Sequence, residues 1–112
     1  MAAEDHASLV AGIEQSVIWH NRDGSGRPTW FHPRACMIPD GKAAKALMTL
    51  QSISGSDVFG PVHWTMSSDL GGSWSKPQPI EGLGRRSISG QMGEGVCDVV
   101  PEYHAPTRTT LA

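Results

Sequence analysis

The sequence contains little cysteine and no long apolar run. Its two cysteines, Cys36 and Cys97, have neither CxxC nor metal-ligand spacing. No stretch approaches the roughly 20 apolar residues that a membrane-spanning helix needs. The sequence therefore predicts no metal site and no membrane partner. We expect the two cysteines to be buried free thiols, with a single disulfide between them as the alternative.

The sequence also lacks a large excess of positive or negative charge. The formal net charge of the 112 residues is -2 at pH 7, so no basic surface for nucleic acid is predicted. The glycine-rich stretches "GLGRRS" and "GQMGEG" do not lie between a strand and a helix, so neither predicts a phosphate-binding cofactor site. The N-terminal residues carry acids where a signal peptide needs lysine or arginine, which predicts a cytoplasmic protein as the sequence is written.

Glycine and proline are abundant, with 13 and 8 residues, and this favours short strands joined by turns. The predicted class is therefore all-β. The expected elements, in chain order, are a tail or short helix within residues 1–15, strands at 16–20, 34–38, 46–53 and 61–67, a short edge strand limited by Pro77 and Pro79, a loop at 81–95, and a strand, turn and strand within 96–112.

The stretch "SSDLGGSWSKPQP" is the most informative part of the sequence. Asp69 can accept hydrogen bonds from backbone N–H groups of its own turn, and Gly71 permits a positive φ. Trp74 can then fold over the turn and bury a large area. The spacing of Ser67, Asp69, Gly71, Ser73 and Trp74 resembles the Asp-box of sialidases and related repeat propellers, S-x-D-x-G-x-T-W. In that family the turn is structural and joins the third and fourth strands of a blade.

The resemblance extends beyond this turn. Residues 30–80 are similar to the first four-stranded antiparallel blade of a six-bladed sialidase-like β-propeller, and residues 96–112 to the start of the second. The resemblance implies a partial propeller over residues 16–112 and a glycoside hydrolase acting on a terminal sugar, with exo-α-sialidase as one candidate. A blade has two apolar faces, so self-association through them is expected.

The resemblance also implies site residues. Sialidases use a tyrosine nucleophile with a glutamate, an aspartate acid/base and three arginines that hold a carboxylate. Asp57 stands where the family has its acid/base, although it can equally cap a loop. The family's first arginine lies in an R-I-P step, where this chain has Phe31, His32 and Pro33. Arg34 follows, either as a substrate-binding arginine in a different geometry or as a solvated charge.

His32 and His104 are both expected to precede innermost strands, which face the funnel where propellers bind ligands. They are candidate substrate-binding residues, with ordinary hydrogen-bonded strand-end histidines as the alternative. Tyr103, the only tyrosine, does not match the family nucleophile. The chain alone is therefore expected to be inactive. Two alternatives remain: a non-catalytic β-module that binds a glycan or a protein, and a propeller lyase that uses histidine and tyrosine.

Overall fold

The computed structural model describes residues 11–20, 29–55 and 57–112, and these residues form strands, turns and irregular segments without a helix. Eight strands follow one another along the chain. They are β1 (Thr29–Asp40), β2 (Ala43–Ser54), β3 (Val58–Ser67), β4 (Gln78–Pro79), β5 (Arg86–Ser89), β6 (Met92–Glu94), β7 (Glu102–His104) and β8 (Thr109–Leu111). The predicted all-β class is confirmed, and no helix among the described residues is long and apolar enough to cross a membrane.

The principal sheet has four antiparallel strands in the order β1-β2-β3-β4, each paired with the next along the chain. The strands expected at 46–53 and 61–67 lie inside β2 and β3. The predicted edge strand is confirmed as β4, which pairs with β3 only through Gln78 and Pro79. Proline has no N–H to donate to a further strand, which fits the edge position.

Two irregularities interrupt this sheet near one end. The register between β1 and β2 shifts between Phe31 and Arg34, and the register between β2 and β3 shifts between Gln51 and Ile53. At the first irregularity His32 has a φ of 50°, a left-handed conformation that a side chain other than glycine rarely adopts. The bulged backbone therefore gives His32 a direction different from regular strand alternation.

Few apolar side chains are buried. Among the described residues the buried apolar side chains are Pro101 and the four residues Ala46, Met48, Leu50 and Val62, three of which lie on the central strand β2. Large apolar side chains such as Met37 and Ile88 stay about half exposed or more. The Cα radius of gyration is 18.5 Å, whereas a compact domain of this length has about 13 Å. The sheet is thus only partly covered by its own chain.

Three expectations about the termini and the glycine-rich region need correction. Residues 16–20 are not a strand, because this apolar run forms no backbone ladder and instead packs Trp19 against Trp30. Residues 11–15 are not helical, and residues 4–10 of the expected helix lie outside the described residues. Residues 81–95 are not only loop. They contain the hairpin β5–β6, which sequence periodicity missed because all its side chains are exposed.

The C-terminal region also differs from expectation. Residues 96–101 are not in a strand, and the strand pair is the short hairpin β7–β8, turned at residues 105–108. His104 therefore ends a strand, and His32 lies within β1, so neither precedes a strand as expected. Both cysteines are free, but only Cys36 is partly buried, whereas Cys97 is exposed.

Candidate functional site

Two distant parts of the chain meet at the bulge of β1. There His32 and Arg34 contact Cys97 and Asp98, and we call these four residues the β1 cluster. Arg34 Nη2 donates to Asp98 Oδ2 at 2.9 Å, and Arg34 Nη1 donates to the Pro33 carbonyl at 3.2 Å. The ion pair is two-fifths exposed on each side, so its net contribution to stability is small, about 0–1 kcal/mol.

Buried polar side chains of β2 hold the segment that carries Cys97 and Asp98. Gln51 is 1 % exposed and donates from Nε2 to the carbonyls of Val96 at 2.6 Å and Gly60 at 3.2 Å. Its Oε1 accepts the Asp98 N–H at 2.8 Å. Thr49 donates to the Val99 carbonyl at 2.6 Å. Because buried polar groups are costly unless paired, these bonds fix the segment against the sheet.

Aromatic rings position His32. Its ring centroid lies 4.1 Å from that of Phe31 and 5.3 Å from that of Phe59, with which it is nearly parallel at 23°. His32 Nδ1 lies 3.8 Å from the Cys97 Sγ. The β1 cluster thus brings together an imidazole, a thiol, a guanidinium and a carboxylate, groups that can bind a polar ligand or transfer a proton.

The other two candidates lie apart from this cluster. Asp57 is exposed in the β2–β3 turn with a φ of 59°, and within the described ranges no hydrogen bond or ion pair joins it to the cluster. His104 is exposed, and its Nδ1 contacts Thr107 Oγ1 at 2.7 Å inside the β7–β8 turn. The structure therefore brings together His32 and Arg34, but not Asp57 or His104.

The turn between β3 and β4 is a dense hydrogen-bond network around Asp69. Asp69 Oδ1 accepts the Ser73 N–H at 2.8 Å and the Ser67 hydroxyl at 2.8 Å, while Oδ2 accepts the Ser73 hydroxyl at 2.6 Å. Ser67 Oγ also accepts the Gly71 N–H at 2.8 Å. Hydrogen bonds from Ser73 and then Ser67 lower the pKa of Asp69 from 3.8 to about 2. Both carboxylate oxygens of Asp69 are therefore occupied by hydrogen bonds within the turn.

Gly71 and Trp74 close this turn. Gly71 has a φ of 93°, which glycine adopts without strain. Trp74 donates from Nε1 to the Gly71 carbonyl at 3.2 Å, and its ring lies over Gly71, where an added Cβ would be 3.9 Å from Trp74 Cζ2. Beyond it, Thr65 donates to the Ser75 carbonyl at 2.6 Å. Hydrogen bonds from two residues of β3, Thr65 and Ser67, therefore hold the turn against this strand.

An apolar groove of about 430 Å³ lies on the face of the sheet that carries Met48 and Leu50. Residues 16–19 form one wall, and Trp30, Phe31 and Pro33 line the rest. Trp19 and Trp30 have ring centroids 6.2 Å apart at 50°. This face is opposite to the one that carries Gln51 and Thr49, because neighbouring strand residues point to opposite sides.

Sequence reasoning missed Gln51, Thr49, Cys97 and Asp98. The available signal was the polar residues Thr49 and Gln51, which alternate with Met48 and Leu50 in the run "ALMTLQSI", since a polar side chain inside a central strand needs a partner. Among the residues that the structure describes, no group of three or more His, Cys, Asp or Glu side chains is placed to hold a metal ion.

Comparison with protein-family models, with curated proteins and with solved structures gave no match to this chain. The assignment of function therefore depends on the geometry of the turn, the β1 cluster and the groove.

Proposed function

We propose that the chain supplies the first blade of a sialidase-like β-propeller, whose parent protein hydrolyses a terminal sugar, and that the chain alone is inactive. The observation that carries the proposal is the turn of Ser67–Trp74. Its network joins the third and fourth strands of a four-stranded antiparallel meander, the position at which the resembled family has its Asp-box. The incomplete burial of the sheet is consistent with a unit that packs against neighbouring blades.

The expected inactivity follows from missing groups. The resembled family needs a tyrosine nucleophile with a glutamate and three arginines, and the residues of the β1 cluster provide a single arginine. Arg34 is moreover engaged by Asp98 at 2.9 Å, so a substrate carboxylate has to compete with that carboxylate. Sugar binding at this cluster is therefore expected to be weak, with a dissociation constant on the order of 1 mM or above.

The test combines turnover with binding. The intact chain is assayed against fluorogenic sialosides and galactosides, and its amide spectrum is titrated with N-acetylneuraminic acid and methyl galactoside. We expect no turnover, and shifts at His32 and Arg34 that weaken in Arg34→Gln. The control is Arg86→Gln, since Arg86 pairs with Glu94 on the separate β5–β6 hairpin. Turnover by the chain alone, or shifts indifferent to Arg34→Gln, would contradict the proposal.

The apolar groove favours a second candidate, a non-catalytic glycan-binding module. Indole rings bind the apolar face of a sugar, and Trp19 and Trp30 both line the groove. In that case, sugar-induced shifts map to the groove and are lost in Trp19→Ala, while Arg34→Gln leaves them unchanged. The same titration thus separates the two functions by the location of the shifts.

A further inference from the structure

The contact between Cys97 and His32 is a feature of the β1 cluster that the proposed sugar binding does not explain. These residues are 65 positions apart in the chain, and their Sγ and Nδ1 atoms lie 3.8 Å apart. Cys97 is exposed and free, so a small reagent can reach its sulfur. A thiol and an imidazole in contact are the two groups that thiol chemistry needs, a nucleophile and a proton acceptor.

The structure holds both groups in place independently. On the thiol side, Gln51 bonds the backbone of Val96 and of Asp98, the residues on either side of Cys97. On the imidazole side, the ring packs against both Phe31 and Phe59. The left-handed φ of 50° at His32 directs this side chain from the bulge of β1. Two separate sets of contacts therefore determine the distance between the Cys97 thiol and the His32 imidazole.

We propose that Cys97 is a reactive thiol with His32 as its proton acceptor, and that the pair is a site of covalent modification by a small electrophile of the peroxide class. In the reaction with hydrogen peroxide, the Cys97 sulfur bonds to one oxygen and the O–O bond breaks. His32 Nδ1, unprotonated in the tautomer with its proton on Nε2, takes the thiol proton and delivers it to the departing oxygen. The products are a sulfenic acid at Cys97 and one water molecule, so sulfur loses the two electrons that peroxide gains.

Cys36 provides an internal comparison in the same chain. It lies on β1 four residues after His32 and is only partly exposed. Burial, and then the nearby Glu102 carboxylate, raise the pKa of Cys36 above 9.0, which disfavours its reactive thiolate. We therefore expect Cys97 to react and Cys36 to stay largely unmodified under the same conditions.

The experiment measures modification of both cysteines in the intact chain at pH 7. Iodoacetamide labelling gives the rate at each cysteine by peptide mass spectrometry, and dimedone traps the sulfenic acid formed by hydrogen peroxide. We expect Cys97 to react at least about tenfold faster than Cys36, and the Cys97 rate to fall about tenfold in His32→Gln. The control is His20→Gln, an exposed histidine outside the cluster, which should leave both rates unchanged.

A second variant separates base assistance from simple exposure. Gln51→Leu removes the side chain that bonds on both sides of Cys97, which frees the thiol from His32 and exposes it further. Base assistance predicts a slower Cys97 reaction in this variant, whereas exposure alone predicts an equal or faster one. An unchanged Cys36 rate shows that the sheet has stayed folded. Equal Cys97 rates in the unchanged chain and His32→Gln, or an equal or faster Cys97 rate in Gln51→Leu, would overturn the proposal.

Discussion

Replacing Gln51 by leucine tests how the segment at residues 96–99 is held to the sheet. Gln51 makes three hydrogen bonds, to the carbonyls of Val96 and Gly60 and from the Asp98 N–H, and it is 1 % exposed. Leucine has a similar size, so packing on β2 is largely kept while all three bonds are lost. At about 1 kcal/mol net for each bond, the expected loss is about 3 kcal/mol.

Part of this loss is recovered, because the freed groups of Val96 and Asp98 reach water when the segment lifts. We therefore expect a net effect of about 2 kcal/mol on the local opening of the segment. Since each 1.4 kcal/mol is a factor of ten in an equilibrium constant, hydrogen exchange at the Asp98 amide should accelerate about 30-fold.

The matched control is Gln78→Leu on the edge strand β4. Gln78 is exposed and makes one local contact, from Nε2 to the Lys76 carbonyl at 3.3 Å. It should change stability by no more than about 0.5 kcal/mol. If exchange at Asp98 in Gln51→Leu matches that in Gln78→Leu, the bonds of Gln51 do not hold the segment and the reasoning fails.

Two further predictions concern the turn between β3 and β4. Because the pKa of Asp69 is lowered to about 2, its stabilisation of the turn is present above pH 3.8 and is lost as the pH falls through about 2. After correction for intrinsic exchange, amide exchange at Ser73 should accelerate as the pH falls through this range. The Asp69→Asn variant should have a weaker turn at every pH and should not show this acceleration. Identical pH profiles in the two proteins would contradict the role given to the Asp69 carboxylate. Gly71→Ala should destabilise the turn by about 1 kcal/mol or more because its φ is 93°. At Gly84 an added Cβ meets no atom within 4 Å and the φ is not positive, so Gly84→Ala should be nearly neutral in the same exchange measurement. Equal destabilisation by Gly71→Ala and Gly84→Ala would refute the argument from the φ of Gly71.

The sequence predicted the parts of the fold that depend on local pattern. The alternation in "ALMTLQSI" predicted β2, and the two prolines predicted that β4 is an edge strand. Strand prediction failed at residues 16–20, where apolar residues pack through Trp19 without any backbone pairing. It failed also at residues 86–94, where backbone pairing forms a hairpin without any apolar pattern.

The candidate site was less predictable, because it depends on long-range pairing. His32 was singled out because it was expected to precede an innermost strand, but its partner Cys97 is 65 residues away, and no local pattern joins them. Gln51 brings that segment back to the sheet through side-chain bonds, which have no periodicity in sequence. Asp57 was chosen because the resembled family has its acid/base at that place, and His104 because it was expected to precede an innermost strand. The structure places Asp57 in the β2–β3 turn and His104 at the end of β7.

We propose that this chain is a propeller blade that needs neighbouring blades to cover its faces. Size-exclusion chromatography with light scattering, coupled to a thermal melt, tests it most directly. We expect either a self-associated species or a chain without a cooperative unfolding transition, since few apolar side chains of the described sheet are buried. A compact monomer that unfolds in one cooperative transition would contradict the claim, and would favour a self-contained binding module.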